Sequence, residues 1–160
     1  MTLDLAVQQA CATPVPGEDG FRRWVAAALA GAGRAADAEL ALRLVGRDEM
    51  AALNARYRGR AGPTNVLSFP AALPAALALP LLGDIVICAP LVRTEAAQLG
   101  KGVTAHWAHL TVHGTLHLLG FDHQADAEAR AMEALERRVL SGLGLPCPYT
   151  GERAEAPATP

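Results

Sequence analysis

The chain has 160 residues and a mass of 16.7 kDa, which suits one domain able to bury roughly 70% of the surface its unfolded form exposes, without disulfide or metal staples. Hydrophobic residues make up 51%, charged residues 19%, and mean hydropathy is +0.19, a balance that excludes a disordered chain. Fourteen Lys plus Arg against sixteen Asp plus Glu leave a net charge of -2, which excludes a polycation that grips nucleic acid or anionic lipid with its whole surface.

Leu3, Leu5 and Val7 alternate with polar residues and predict a first strand, interrupted by Thr13, Pro14, Pro16 and Gly17. From about Asp19, Phe21, Trp24, Val25, Ala28 and Leu29 recur at helical spacing, and Gly31 and Gly33 supply the stop. Glu39 to Val45 alternates as a second strand with Leu40, Leu42 and Leu44 on one face, ended by Gly46. Met50, Leu53, Asn54 and Tyr57 fit a short helix from Asp48; Gly59, Gly62 and Pro63 then open a turn before a strand-like run from Asn65 to Phe69. The apolar stretch Phe69 to Leu82 is broken by Pro70, Pro74 and Pro80 and falls short of the about 20 residues a membrane span requires, so it reads as a loop.

Gly83 to Cys88, rich in β-branched residues, predicts a further strand, and Pro90 starts a helix to about Leu99. Beyond Gly100 and Gly102 a long helix runs from about Thr104 to Leu119. After Gly120 a last amphipathic helix carries Ala129, Met132, Leu135, Val139 and Leu140 on one stripe, and Gly142, Gly144, Pro146 and Pro148 end the fold. The expected architecture is α+β: one domain over 1–150, a mixed four-stranded sheet packed with about five or six helices around a central histidine-bearing helix. Residues 151–160 lack apolar periodicity and read as a flexible tail. Cys11, Cys88 and Cys147 are scattered without C-x-x-C spacing, and the N-terminus lacks a basic, then apolar, leader, so a cytoplasmic protein without a disulfide framework is expected.

All five histidines fall between positions 106 and 123. On the Thr104 to Leu119 helix, His106, His109, His113 and His117 lie within about 80° of one another at 100° per residue. The rest of that helix is apolar nearly all round, so it should be buried, with histidine its only strongly polar stripe. Buried imidazoles need partners, and no nearby stretch of sequence supplies as many carboxylates. A metal ion answers that need. His113 and His117, four apart, can reach one ion at about 2.0 to 2.1 Å from each nitrogen. Gly120 can adopt the left-handed conformation that ends the helix, letting the chain double back so that His123 supplies a third nitrogen. Three imidazoles with the fourth position left to water describe one catalytic zinc ion. His106 and His109 can orient the ligands, carry protons or serve structure alone.

The run HGTLHLLGFDH from His113 to His123 has the spacing of the metzincin protease pattern H-E-x-x-H-x-x-G-x-x-H, but Gly114 stands where those enzymes carry the glutamate general base. Together with YRGRAGPTNVLSFP (Tyr57 to Pro70), LGDIVI (Leu82 to Ile87) and HWAHLTVHGTLHLLGFDH (His106 to His123), it resembles the YbeY family of metal-dependent endoribonucleases, over roughly Leu40 to Tyr149 and in the same order. The loop from Ala71 to Leu81 has no match in that resemblance.

The resemblance implies single-strand-specific cleavage of ribosomal RNA precursors, not DNA, during ribosome maturation and quality control, in association with ribosomal particles or their proteins and away from membranes. It implies His113, His117 and His123 as zinc ligands and Arg58 as a basic catalytic residue of the cleft. The chemistry suits those residues, because zinc polarises a phosphoryl oxygen and a guanidinium binds phosphate through paired hydrogen bonds. Arg56, Arg58 and Arg60 make a local cationic element, with solvated surface arginine the alternative reading. Asp84 can face the cleft or belong to a turn, Asp122 can bond a ligand or cap the last helix, and Asn65 and Ser68 can tie down the turn before their strand. Cys88 and Cys147 read as small buried residues, though either could close a structural zinc site. The competing functions are a metallohydrolase of another class, such as a metzincin-like protease, and a non-catalytic ribosome-assembly factor with a structural zinc.

Overall fold

A computed structural model describes residues 2–74, 77, 79–122 and 125–146. The predicted alternations become β1 (Leu3–Ala10), β2 (Ala38–Val45), β3 (Val66–Pro70) and β4 (Leu81–Cys88), joined into one sheet of order β1-β2-β4-β3. β1 pairs with β2 and β2 with β4 in parallel, while β3 runs antiparallel to β4. The mixed four-stranded sheet and α+β class are as the sequence implied, and the described residues form five helices: α1 (Glu18–Gly31), α2 (Arg47–Arg58), α3 (Ala89–Leu99), α4 (Val103–Leu118) and α5 (Asp126–Gly142).

The two-residue period of the strands sorts the core. Leu5, Leu40, Leu42, Leu44, Ile85 and Ile87 point to one face and pack with Phe21, Trp24 and Leu29 of α1, Trp107, Val112 and Leu116 of α4, and Met132 and Leu135 of α5. Val45, Leu67, Val86 and Cys88 point to the other and pack with Met50 of α2. α4 lies against β3 and β4 and touches α1, α3 and α5 as well, which makes it the buried central helix its composition predicted.

The stretch read as a loop from Phe69 to Leu82 is shorter than expected at both ends. Phe69 and Pro70 belong to β3, and Leu81 and Leu82 to β4, with Pro70 paired to Gly83. Proline is tolerated there because β3 is the sheet's edge strand and need not donate outward. The remainder of the stretch projects Leu73, Leu77 and Leu79 toward solvent, each more than 40% exposed. Among the described residues no helix is long and apolar enough to cross a membrane.

Candidate metal centre and active cleft

Two glycines shape the ends of the helices that bear the predicted site. α2 stops at Gly59, which takes a left-handed φ of 65°, and Asn54 ties down the following turn by donating to the Gly62 carbonyl at 2.8 Å. Arg58 lies in the last turn of α2, directly before this turn. α4 ends at Gly120 with φ 102°, its N–H bonded to the His117 carbonyl at 3.0 Å, while the Phe121 N–H reaches the Leu116 carbonyl at 3.1 Å. This pair of bonds is the Schellman arrangement, and Gly120 fulfils the turn-making role the sequence assigned to it.

Between these ends lies a cleft of about 540 Å³, lined by Arg58, Asn65, Val66, Ser68, Pro70, His113, His117, Gly120, Phe121 and Asp122. Three predicted site residues, Arg58, His113 and His117, therefore converge although 59 positions separate the first from the last. His123, the fourth, lies outside the described residues, as do Cys147 and the predicted tail. Arg56 does not join the cleft; its guanidinium sits 5.3 Å from the Tyr57 ring centre. Asp84 is neither the cleft residue nor the turn residue the sequence offered: it sits inside β4, opposite Phe69, and lines a separate depression with Arg43, Glu49 and Tyr57 on the other face of the sheet. Asn65 and Ser68, read only as ties for the turn before the strand, also line the cleft. Ser68 donates to the Gly114 carbonyl at 2.9 Å, and Asn65 donates to Glu95 at 3.1 Å.

The histidine stripe is one face of α4, as its spacing required. The Nε2 atoms of His113 and His117 approach to 3.1 Å at the cleft wall, with the rings inclined at 73°. Two nitrogens bound to one zinc at tetrahedral angles and about 2.05 Å would stand about 3.3 Å apart, so this pair fits a metal with little adjustment. Cys88 does not contribute, since its thiol is buried beside Val45, Met50 and Leu67 on the opposite sheet face, and burial pushes its pKa up, away from the thiolate a metal requires.

Where the sequence reading fell short was in the partners of the remaining histidines. It found too few carboxylates nearby, yet two arrive from distant helices. Glu95 of α3 meets His106 Nε2 at 2.8 Å, and Glu136 of α5 meets His113 Nδ1 at 2.5 Å and His109 Nε2 at 3.4 Å. The hydrogen bond from His106, reinforced by that from Asn65, lowers the Glu95 pKa in spite of partial burial. Burial would raise the Glu136 carboxyl, but the hydrogen bonds and charges of His109 and His113 outweigh it and hold the group well below the usual carboxylate range. Burial lowers the His109 pKa against the pull of Glu136. Glu136 had a readable signal: it occupies the middle of the Met132, Leu135, Val139, Leu140 stripe, where a charge is out of place unless something buried needs it.

His109, His113 and Glu136 also form a group whose ligand atoms lie within 4.8 Å of one another and could hold a metal ion. Of these only His113 lines the cleft, and the Glu136 side chain has no solvent exposure, so this group sits behind the cleft wall.

Residues 8–144 match the family model described as Endoribonuclease YbeY. A protein of Xanthomonas campestris pv. campestris (strain B100) named Endoribonuclease YbeY is 56% identical over 156 residues, covering 94% of this chain and 96% of the relative. One of the same name from Alkalilimnicola ehrlichii is 57% identical over 151 residues, covering 92% and 91%. A Thermotoga maritima protein solved in solution shares the fold, with a TM-score of 0.57 at 20% identity over 98% of this chain and 99% of that one.

Proposed function

We propose, from the fact that this chain belongs to the YbeY family, that it is a zinc-dependent endoribonuclease cutting single-stranded segments of ribosomal RNA precursors in the cytoplasm, on or near ribosomal particles. The observation that carries the reading is the meeting of Arg58, His113 and His117 in one cleft. His113 and His117, with His123, are the residues that hold the metal. Bound there, zinc supplies a Lewis acid for a phosphoryl oxygen. Arg58, lining the same cleft, would bind that phosphate, its planar fork matching two phosphate oxygens and stabilising the negative charge that grows as the phosphorus is attacked. Ser68 on the edge strand β3, and Asn65 just before it, line the cleft along which the RNA strand would run. The volume of the cleft lies within the about 300–1,000 Å³ typical of small-molecule sites, which suits a single nucleotide of an extended chain. The carboxylate base of the metzincin pattern is absent at Gly114, which disfavours peptide hydrolysis.

The test is cleavage of single-stranded and structured RNA by the purified protein, with and without a chelator, beside a His117→Ala variant supplied with the same metal. Single-strand cleavage that is lost with chelator and falls by at least about 10²-fold in the variant is expected. RNA loss that continues unchanged in the variant would assign the activity to a contaminant.

A further inference from the structure

Glu136 is the feature that the proposed chemistry leaves over. Its side chain is completely buried in the apolar stripe of α5, a placement that costs several kcal/mol unless the charge is paired and hydrogen-bonded. An apolar residue of similar volume would pack there without that cost, so stability alone does not account for a carboxylate. Both of its oxygens face α4: Oε2 is hydrogen-bonded to His113 Nδ1 at 2.5 Å, and Oε1 lies 3.4 Å from His109 Nε2.

An ionised carboxylate only accepts hydrogen bonds, so the proton of a neutral His113 must sit on Nδ1. Its lone pair is then on Nε2, the atom that faces His117 Nε2 at 3.1 Å on the cleft side. We infer that Glu136 is a positioning residue, holding His113 in the Nδ1–H tautomer and at the rotation that presents Nε2 to the metal, with His109 keeping the carboxylate aligned from behind. This rests on the reading of His113 and His117 as metal ligands. The alternative, that Glu136 itself ligates with His109 and His113, would break the His113 hydrogen bond and draw the ion behind the wall, away from Arg58.

The experiment compares the full-length wild type with Glu136→Met, Glu136→Gln and His117→Ala. Zinc affinity is measured by competition with a chromophoric chelator, and the His113 tautomer is read from nitrogen–proton NMR correlations of the metal-free protein. Wild type should show His113 protonated at Nδ1. Glu136→Met, which keeps the volume but cannot accept a hydrogen bond, should stay folded, bind zinc about 10–100-fold more weakly and show mixed His113 tautomers. Glu136→Gln retains an acceptor and should recover most of the affinity and the single tautomer. A purely structural role would move the melting temperature and leave the tautomer and affinity alone.

His113 found protonated at Nε2 in the wild type overturns the inference without any variant. So does wild-type zinc affinity in Glu136→Met, or a loss in Glu136→Gln as large as in Glu136→Met, which marks the carboxylate as a direct ligand. His117→Ala separates the two levels: loss of zinc binding there supports the ligand reading on which the inference rests, whereas wild-type affinity there overturns that reading and the inference with it.

Discussion

Gly114 lies between the two histidines at the cleft wall, and its replacement by alanine tests why the family's motif departs from the protease pattern there. A Cβ at position 114 would stand 2.9 Å from Ile85 Cγ2, 3.3 Å from Ser68 Oγ and 3.4 Å from Val66 Cγ2. Carbon atoms pack best at about 3.5–4.0 Å, so the Ile85 contact is too close by roughly 0.6 Å or more. Ile85 is fully buried, and its Cγ2 is fixed directly on a β-branched carbon, so it cannot swing aside without leaving its rotamer. The helix must move off the sheet instead. Such overpacking costs about 1–3 kcal/mol, against a gain of about 1 kcal/mol from replacing glycine in a helix interior. The net expectation for Gly114→Ala is a loss of about 1 kcal/mol, a drop of about 2–4 °C in Tm for a chain of this size. Without the clash the same substitution would raise Tm by a similar amount, so the sign is decisive. Calorimetry or circular dichroism melts of the metal-free protein read it, and a variant as stable as wild type, or more so, would refute the packing argument. Gly114→Glu adds a carboxylate to the same contact and should lose more than alanine does, without gaining peptidase activity.

Gly83→Ala should be worse: the backbone there has φ 137°, and the new Cβ would fall 2.2 Å from the Phe69 carbonyl oxygen and 2.9 Å from the Ala71 nitrogen, atoms of the paired strand that have no side-chain freedom. A loss of at least about 3 kcal/mol is expected by urea unfolding, and a loss under about 1 kcal/mol would count against the β3–β4 geometry. Glu95→Gln tests the second histidine-bound carboxylate, which is partly buried, through pH. Because its hydrogen bond from His106 depresses the folded-state pKa, Glu95 contributes stability that is fully present above the ordinary value of about 4.3 and is lost as pH falls through the folded value. The stability difference between wild type and Glu95→Gln should therefore shrink in urea titrations as pH is lowered from 6 to below about 4; a difference that stays constant over that range would contradict the assignment.

The elements and the histidine pair at the cleft wall were legible because both depend on local spacing. Alternation in Leu40, Leu42 and Leu44 places them on the helix-facing side of β2, and the four-residue step from His113 to His117 puts both rings at one wall, whatever the rest of the chain does. Arg58 was reached only through the family resemblance, since nothing in its own neighbourhood says that the end of α2 will face a helix more than 50 residues later. The carboxylates show the same limit more sharply. Glu95 and Glu136 are brought to His106 and His113 by the packing of α3 and α5 on α4, contacts that leave no trace in the sequence around the histidines. Glu136 alone carried a clue, a charge in the middle of an apolar stripe.

The close approach that forbids a side chain at Gly114 also builds the cleft. With only a hydrogen at that position, the edge strand β3 can lie near enough to α4 for the Ser68 hydroxyl to bond the Gly114 carbonyl. The same alternation that turns Val66 and Ser68 toward α4 turns Leu67 toward the core on the other face, so β3 is anchored from one side while it walls the cleft on the other. A glutamate in the helix would push that wall away from His113 and His117. The two motifs therefore share a spacing but use it differently: in this chain the space that a general base would take is occupied by the strand that carries Ser68 to the cleft.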